Sequence, residues 1–207
     1  MLREIIIALY QKYHGDPLAM LNAITKRENI NLEEYQLITK HHYITLFDRS
    51  YPNFFKHLDN TCVFIEFYKG NHALWKHRHF IAVYGEPNQN EIWQLKAINI
   101  SSSQILFFYP QTLSELQNLH NALIKHQFKN IIILLDYIDL AEQIKINHDW
   151  LYFSPFIDES QNHSPLLNIL FAKGCKQIFI CRKHSHTPEL LNLIRNKINI
   201  NIITKLD

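Results

Sequence analysis

The sequence predicts an α/β fold: a Rossmann-like, mostly parallel sheet flanked by helices, with a small N-terminal helical module. Three observations carry that prediction. Short apolar runs alternate with helix-period segments from about residue 43 onward, and such alternation builds parallel sheets through crossover helices. Several of the runs, Ile131-Ile132-Ile133-Leu134-Leu135 above all, are apolar without a break, as central strands covered on both faces are. The run Phe80-Ile81-Ala82-Val83-Tyr84 ends on Gly85, where a first Rossmann strand hands the chain to a helix. The expected organisation is a helical module over 1–42 and a reduced, extended Rossmann-like domain over 43–207.

Within the first forty or so residues, Leu2, Ile5, Ile6, Leu9, Tyr10 and Tyr13 recur at three- and four-residue steps, the period of one helix face. Gly15-Asp16-Pro17 then reads as a stop followed by a start: glycine closes a helix, aspartate caps the next, and proline suits its first turn. Leu18, Leu21 and Ile24 give a second face. Asn31-Leu32-Glu33-Glu34 reads as the beginning of a third short helix, with Asn31 as cap and acids in the first turn.

Strands are expected at Tyr43–Phe47, Val63–Tyr68, Phe80–Tyr84, Gln104–Tyr109, Asn130–Leu135, Leu151–Phe153, Gln177–Cys181 and Ile198–Ile203. Helices are expected between them at Asn90–Ile98, Thr112–His126, Ser164–Lys173 and Pro188–Lys197. Thr112 with Glu115 forms a capping-box pattern ahead of Leu116, Leu119 and Leu123.

Composition excludes several classes. With 47% apolar and 19% charged residues in 207, the chain can bury a core and is not disordered. No apolar run reaches the roughly 18–20 residues of a membrane span. The start Met1-Leu2-Arg3-Glu4 does not read as a secretion signal, so a cytoplasmic protein is expected. Cys62, Cys175 and Cys181 form no CxxC pair, and buried thiols are the expectation. Net charge is only +2, so affinity for nucleic acid would need a local patch. There are four glycines in all and no GxGxxG or GxxxxGK, so the usual backbone cradle for phosphate is missing.

Residues 46–87 hold the most informative stretch. Leu46-Phe47-Asp48-Arg49-Ser50-Tyr51-Pro52 is followed by Phe67-Tyr68-Lys69-Gly70-Asn71 and then by Phe80-Ile81-Ala82-Val83-Tyr84-Gly85. This ordered set resembles the DprA/Smf family, the DNA-processing proteins of bacterial transformation. The family reads Tyr-Pro, then Phe-Tyr-Lys-Gly-Asn, then Ile-Ala-Ile-Val-Gly-Ser-Arg. The resemblance implies a shortened, divergent member with the family's nucleotide-type fold. It further implies single-stranded DNA binding, assistance to a RecA-type recombinase in natural transformation and competence, and a homodimer formed through the Rossmann-like domain.

Departures from the family are equally specific. Glu86 and Pro87 follow Gly85 where the family has Ser-Arg, a reversal of charge that disfavours phosphate. The family's Gly-Leu-Ala-Arg-Gly-Ile-Asp stretch has as its counterpart Ile105-Leu106-Phe107-Phe108-Tyr109-Pro110, which lacks the glycine turn. Catalytic constellations are also missing: Ser154 and Ser164 sit in no GxSxG elbow. Cys181 stands beside Arg182, Lys183 and His184, cations that would lower a thiol pKa, yet a strand-end cysteine is more commonly buried. His77 and His79, and His184 and His186, form HxH pairs with no third ligand nearby in sequence. No enzyme activity, cofactor or metal is expected.

Two basic clusters remain. Lys69, Lys76 and Arg78 surround the turn before Phe80, and Arg182 and Lys183 follow a late strand. With Tyr68 or Trp75 stacking on bases, these five cations suit single-stranded DNA, which is held by phosphate contacts and aromatic platforms. The alternative is a degenerate Rossmann-like scaffold for protein–protein interaction, without DNA or nucleotide binding.

Overall fold

A computed structural model of the chain describes residues 2–35, 39–56, 63–76, 79–101, 104–159, 175, 177–181 and 201–203. Its centre is an eight-stranded sheet in the order β1-β2-β6-β5-β4-β3-β7-β8, where β1 is His42–Thr45, β2 Ile65–Gly70, β3 Phe80–Tyr84, β4 Ile105–Phe108, β5 Ile131–Leu134, β6 Leu151–Ser154, β7 Gln177–Ile180 and β8 Asn201–Ile203. Strands β3 to β8 are mutually parallel, while β1, β2 and β6 pair antiparallel. The fold is therefore Rossmann-like and mostly parallel, with an antiparallel extension on one side. The expected helices at Ser164–Lys173 and Pro188–Lys197 lie outside the described residues.

The unbroken apolar runs have a direct structural cause. Side chains alternate across a sheet, and here each alternate set meets its own apolar layer. Ile81, Val83, Leu106, Phe108, Ile131, Ile133 and Tyr152 belong to one buried cluster; Phe80, Ala82, Ile105, Phe107, Ile132, Leu134, Leu151 and Phe153 belong to a second. The first cluster also contains Ile6 and Leu9 of α1 (Leu2–Lys12) and Met20 and Ala23 of α2 (Pro17–Thr25). Leu95 of α4 (Gln89–Ser101) and Leu119 of α5 (Leu113–Lys125) join them. The second cluster contains Tyr51, Phe55 of the short helix α3 (Asn53–Lys56), and Leu74 and Trp75 of a 3-10 turn over His72–Lys76. A polar residue on either face of β4 or β5 would lose about 1–3 kcal/mol unless it found a partner.

Local signals account for the helix ends. Gly15 adopts φ +77, its N–H bonds the Tyr10 carbonyl, and Asp16 Oδ1 accepts from the N–H groups of Leu18 and Ala19 as α2 begins at Pro17. The expected third helix at Asn31 is only a turn. Asn31 Oδ1 accepts from Glu33 N–H, and the Glu34 N–H bonds the Asn31 carbonyl. Leu32 stays 38% exposed, so no buried apolar face repays the cost of nucleating a helix.

The Tyr-Pro and Lys-Gly-Asn segments are structural devices. Asp48 Oδ2 accepts from the Thr45 backbone and hydroxyl, closing a turn that buries Tyr51, whose hydroxyl donates to the Val63 carbonyl. Gly70 ends β2 opposite Leu151 with φ +87, and a Cβ there would lie 2.0 Å from the Trp150 carbonyl oxygen. The neighbouring Asn71 N–H donates to that same oxygen at 2.8 Å. Only glycine satisfies both the dihedral and the close approach. Gly70→Ala is expected to destabilise the protein by more than the roughly 1–2 kcal/mol that the left-handed conformation alone costs, because the clash is with rigid backbone. A lowered midpoint in urea at unchanged slope would register it; an unchanged midpoint would contradict the geometry.

Candidate functional site

In open α/β sheets ligands gather at the carboxyl ends of the parallel strands, where the strand order reverses. Here β3 has β4 on one side and β7 on the other, so the reversal falls at the carboxyl end of β3. Gly85 turns there with φ +88. The Cys181 N–H donates to the Tyr84 carbonyl, holding β7 against the turn. A cavity of about 280 Å³ opens at this edge, bounded by Tyr84 to Pro87, by Tyr109 to Gln111 and by the first turns of α5.

The cavity occupies the usual phosphate position but not the usual chemistry. A helix amino end attracts anions through free N–H groups and its dipole. In α4, Asn88 Oδ1 accepts from the Asn90 and Glu91 N–H groups, and Glu91 Oε2 accepts from the Asn88 N–H at 2.8 Å. In α5, Thr112 Oγ1 accepts from Glu115 N–H and Glu115 Oε2 from Gln111 N–H. Both ends carry reciprocal side-chain caps, each with a glutamate. The Thr112–Glu115 box is legible in the sequence. Asn88 with Glu91 three residues later has the same spacing, the sequence signal for this second cap.

Among the described residues, acids gather at this edge. Glu86 and Glu115 line the cavity, and Tyr109 donates its hydroxyl to Asp136 Oδ1 at 2.7 Å. Burial pushes the Asp136 carboxyl upward; the Tyr109 bond pulls it back, and the charges of Glu115 and Glu159 push it up again. Burial likewise raises the Tyr109 phenol, helped by its bond to Asp136 and by the Asp136 charge. Cys181 is fully buried, and burial together with the charge of Glu91 pushes its thiol up. Cys175 is also buried.

Of the cations expected to hold DNA, Lys69 and Lys76 are among the described residues. Lys69 Nζ donates to Glu142 Oε1 at 2.9 Å, so its charge is already matched. Lys76 is exposed at the end of the 3-10 turn. Both belong to the amino edge of the sheet, because Gly70 lies opposite Leu151 at the start of β6 and Lys76 precedes Phe80 at the start of β3. Cys181, which precedes Arg182 and Lys183 in sequence, is at the carboxyl edge. Arg78, Arg182 and Lys183 themselves lie outside the described residues, as do His77, His184 and His186. Tyr68 is partly buried, its ring 4.5 Å from His72 and 5.7 Å from His42.

Trp75 requires a correction. Its ring stands edge-on to Phe55, Phe80, Phe107 and Phe153, and its Nε1–H donates to Glu66 Oε1 at 2.6 Å. With 7% exposure it has no face to offer a base. The apolar layer over β3 to β6 demanded a large ring more strongly than the surface did. Glu66 itself is fully buried on β2. Burial pushes its carboxyl up, while His72 and the Trp75 bond pull it down. An acid inside the run Val63-Phe64-Ile65-Glu66-Phe67 is the signal that would have found it.

One further grouping joins three segments distant in sequence. His41 Nε2 lies 2.7 Å from Asp139 Oδ1, and His41, Asp139 and Glu142 present ligand atoms within 4.8 Å of one another. Lys40 and Lys69 both bond Glu142, so ammonium groups already compensate its charge. They hold the Glu142 carboxyl down at about 2.

These features define a Rossmann-like α/β protein with an acid-lined, self-capped ligand edge. Its fold is similar to that of DNA processing protein A (DprA) from Streptococcus pneumoniae: the crystal structure of that protein superposes with a TM-score of 0.56 and 16% identity, covering 97% of this chain and 81% of that one. The sequence matches no family model. A search of curated proteins likewise yields no match. The DprA-like fold expected from residues 46–87 thus extends over nearly the whole chain. Among the described residues, no helix is long and apolar enough to cross a membrane.

Two predictions test this electrostatic reading. Because the Glu142 pKa is depressed on folding, its stabilising contribution is present above the unfolded value of about 4.3 and is lost as pH falls through about 2. Glu142→Gln should flatten acid unfolding across that window, with a smaller difference at high salt; identical acid profiles would count against the paired lysines. Trp75→Phe should cost about 1–3 kcal/mol at neutral pH by leaving a Glu66 oxygen without its donor. Chemical denaturation of the single and double variants with Glu66→Gln should show coupling between the two positions; strict additivity would mean that the bond contributes nothing.

Proposed function

We propose that this protein is a non-catalytic DNA-processing accessory protein that binds single-stranded DNA and assists a RecA-type recombinase, as in natural transformation. The observation that carries the reading is the likeness to DNA processing protein A over 97% of the chain, together with the Tyr-Pro and Lys-Gly-Asn segments. The likeness extends over 81% of that protein's own chain.

DNA would not follow the phosphate path typical of Rossmann sheets, because Glu86 and two capped helix ends occupy that edge. Lys76 is the best described candidate for a phosphate contact, since it is exposed and carries no counter-ion among the described residues. Arg78, Arg182 and Lys183 are further candidates by residue type. Lys69 would contribute only by exchanging Glu142 for phosphate, and Tyr68 would present at most a ring edge.

Fluorescence anisotropy with a labelled single-stranded oligonucleotide at low ionic strength tests the proposal. Binding should weaken linearly in log–log salt plots, and Lys76→Ala should reduce the slope by about 0.7, the value of one single-strand phosphate contact. If no salt-sensitive binding is found, the function moves to a Rossmann-like scaffold for protein partners. The observation behind this second reading is that Glu86 and Glu115 line the edge, where like charge would disfavour a phosphate.

A further inference from the structure

The carboxyl of Glu66 is shut inside the apolar layer on the Trp75 side of the sheet, with no exposed side-chain surface. Both of its oxygens face the 3-10 turn over His72–Lys76. Oε1 accepts the Trp75 Nε1–H at 2.6 Å. Oε2 lies 3.5 Å from His72 Nε2, and neither of these buried atoms has a hydrogen-bond partner. Buried polar atoms are nearly always paired, and a small closing movement with a hydrogen between these two would satisfy both. Their surroundings decide the charge of such a pair. The elements packed around Trp75 present Phe55 from α3, Phe80 from β3, Phe107 from β4 and Phe153 from β6, and β1 places Ile44 opposite Glu66. A lone negative charge in such a layer costs far more than a neutral pair.

We propose that Glu66 and His72 together hold one extra proton, which leaves the pair without net charge, and that this proton is a pH-sensitive latch. While it is present the turn His72–Lys76 is fastened to β2; its loss on raising the pH loosens the turn. The turn is the side that gives way. β2 is held by ladders to β1 and β6, whereas the turn is tied locally, by the Ala73 N–H to Asn71 Oδ1 and the Leu74 N–H to the Asn71 carbonyl. Admitting water there relieves a buried carboxylate at the least structural cost. Lys76 ends this turn and is exposed, so its ammonium is held at the amino edge only while the turn is closed. The latch needs no DNA and its test uses none, so it stands or falls apart from the DNA reading.

The direction of the effect follows from burial. Burial pushes the Glu66 carboxyl above its usual range, against the opposing pull of His72 and of the Trp75 bond. An open turn would return that carboxyl to water and to about 4.3, so opening releases the proton. The latch is therefore complete below that ordinary value and is lost as pH rises through the folded one. Besides His72, the titratable group nearest along β2 is Tyr68, whose phenol is pushed up by burial and by the Glu66 charge; its ring lies 4.5 Å from that of His72. A phenol held upward stays neutral while Glu66 titrates.

Carbon NMR of the glutamate side chains and amide exchange on the intact chain provide the readout. The Glu66 δ-carbon signal, identified by its absence from Glu66→Gln, should titrate above the ordinary carboxyl range. His72→Gln should move that midpoint, because the imidazole no longer shares the proton. Between about pH 5 and 9, the Leu74 amide should lose protection by up to about tenfold per pH unit, the slope of one released proton, after correction for intrinsic exchange. The Leu135 amide, bonded to the Phe153 carbonyl within the sheet, should not follow it. Glu66→Gln keeps the shape of the acid but cannot ionise, so the protection of Leu74 should become independent of pH. Any of three results overturns the latch: titration of Glu66 in the ordinary carboxyl range, a midpoint unmoved by His72→Gln, or Leu74 protection that either ignores the ionisation of Glu66 or falls equally with that of Leu135. Should Glu66→Gln fail to fold, the titration and exchange profiles of the wild-type protein decide the matter, because a latch requires Leu74 to open as Glu66 loses its proton.

Discussion

Everything on the antiparallel side of the sheet depends on how closely β2 passes the end of the 147–150 turn. The Trp150 carbonyl accepts the Asn71 N–H and lies where any side chain at residue 70 would have to be. This contact sets the β2–β6 register, with Gly70 opposite Leu151 and Phe67 opposite Ser154. Through β2 it also sets β1, and so joins the antiparallel strands to the parallel ones. The register in turn places Phe67 under α1 and Glu66 on the opposite face beside Trp75. A one-residue slip would exchange those faces, bringing an acid among the apolar contacts of α1 and a phenylalanine to the indole nitrogen.

The amino and carboxyl edges of the sheet differ in their chemistry. At the amino edge, cations and acids compensate one another: Lys40 and Lys69 share Glu142, and His41 faces Asp139. At the carboxyl edge, Glu86 and Glu115 line the cavity with no cation among the described lining residues, and the starts of α4 and α5 carry side-chain caps. Desolvation strengthens this difference, because a half-buried carboxylate such as Asp136 interacts with its neighbours through a poorer dielectric than an exposed one. The edge thereby keeps the position of a Rossmann ligand site, with Glu86 and Glu115 in its described lining.

Burial also explains why residue type misled at Trp75. A tryptophan between Leu74 and Lys76, next to a cluster of cations, has the composition of a nucleic-acid platform. Its actual environment is four phenylalanine rings and a buried glutamate. An aromatic ring of that size buries more apolar area than any other local residue, and each buried large side chain contributes about 1.5–3 kcal/mol. The core therefore had the stronger claim on it. Lys69, by contrast, remains near the surface, but Glu142 from a segment far along the chain neutralises it.

Among the described residues, the order of the strands and main helices was legible in the sequence because it rests on local chemistry: unbroken apolar runs for strands buried on both faces, three- and four-residue steps for α1 and α5, and Gly-Asp-Pro between α1 and α2. The turn at Asn31 was misjudged as a helix because capping residues announce a helix start without ensuring a buried face to extend it. Which charges meet was decided only in three dimensions. Lys69 and Glu142, Tyr109 and Asp136, and Trp75 and Glu66 are brought together by sheet order and register. Pairing across a sheet joins residues regardless of their separation along the chain, so no local pattern encodes it.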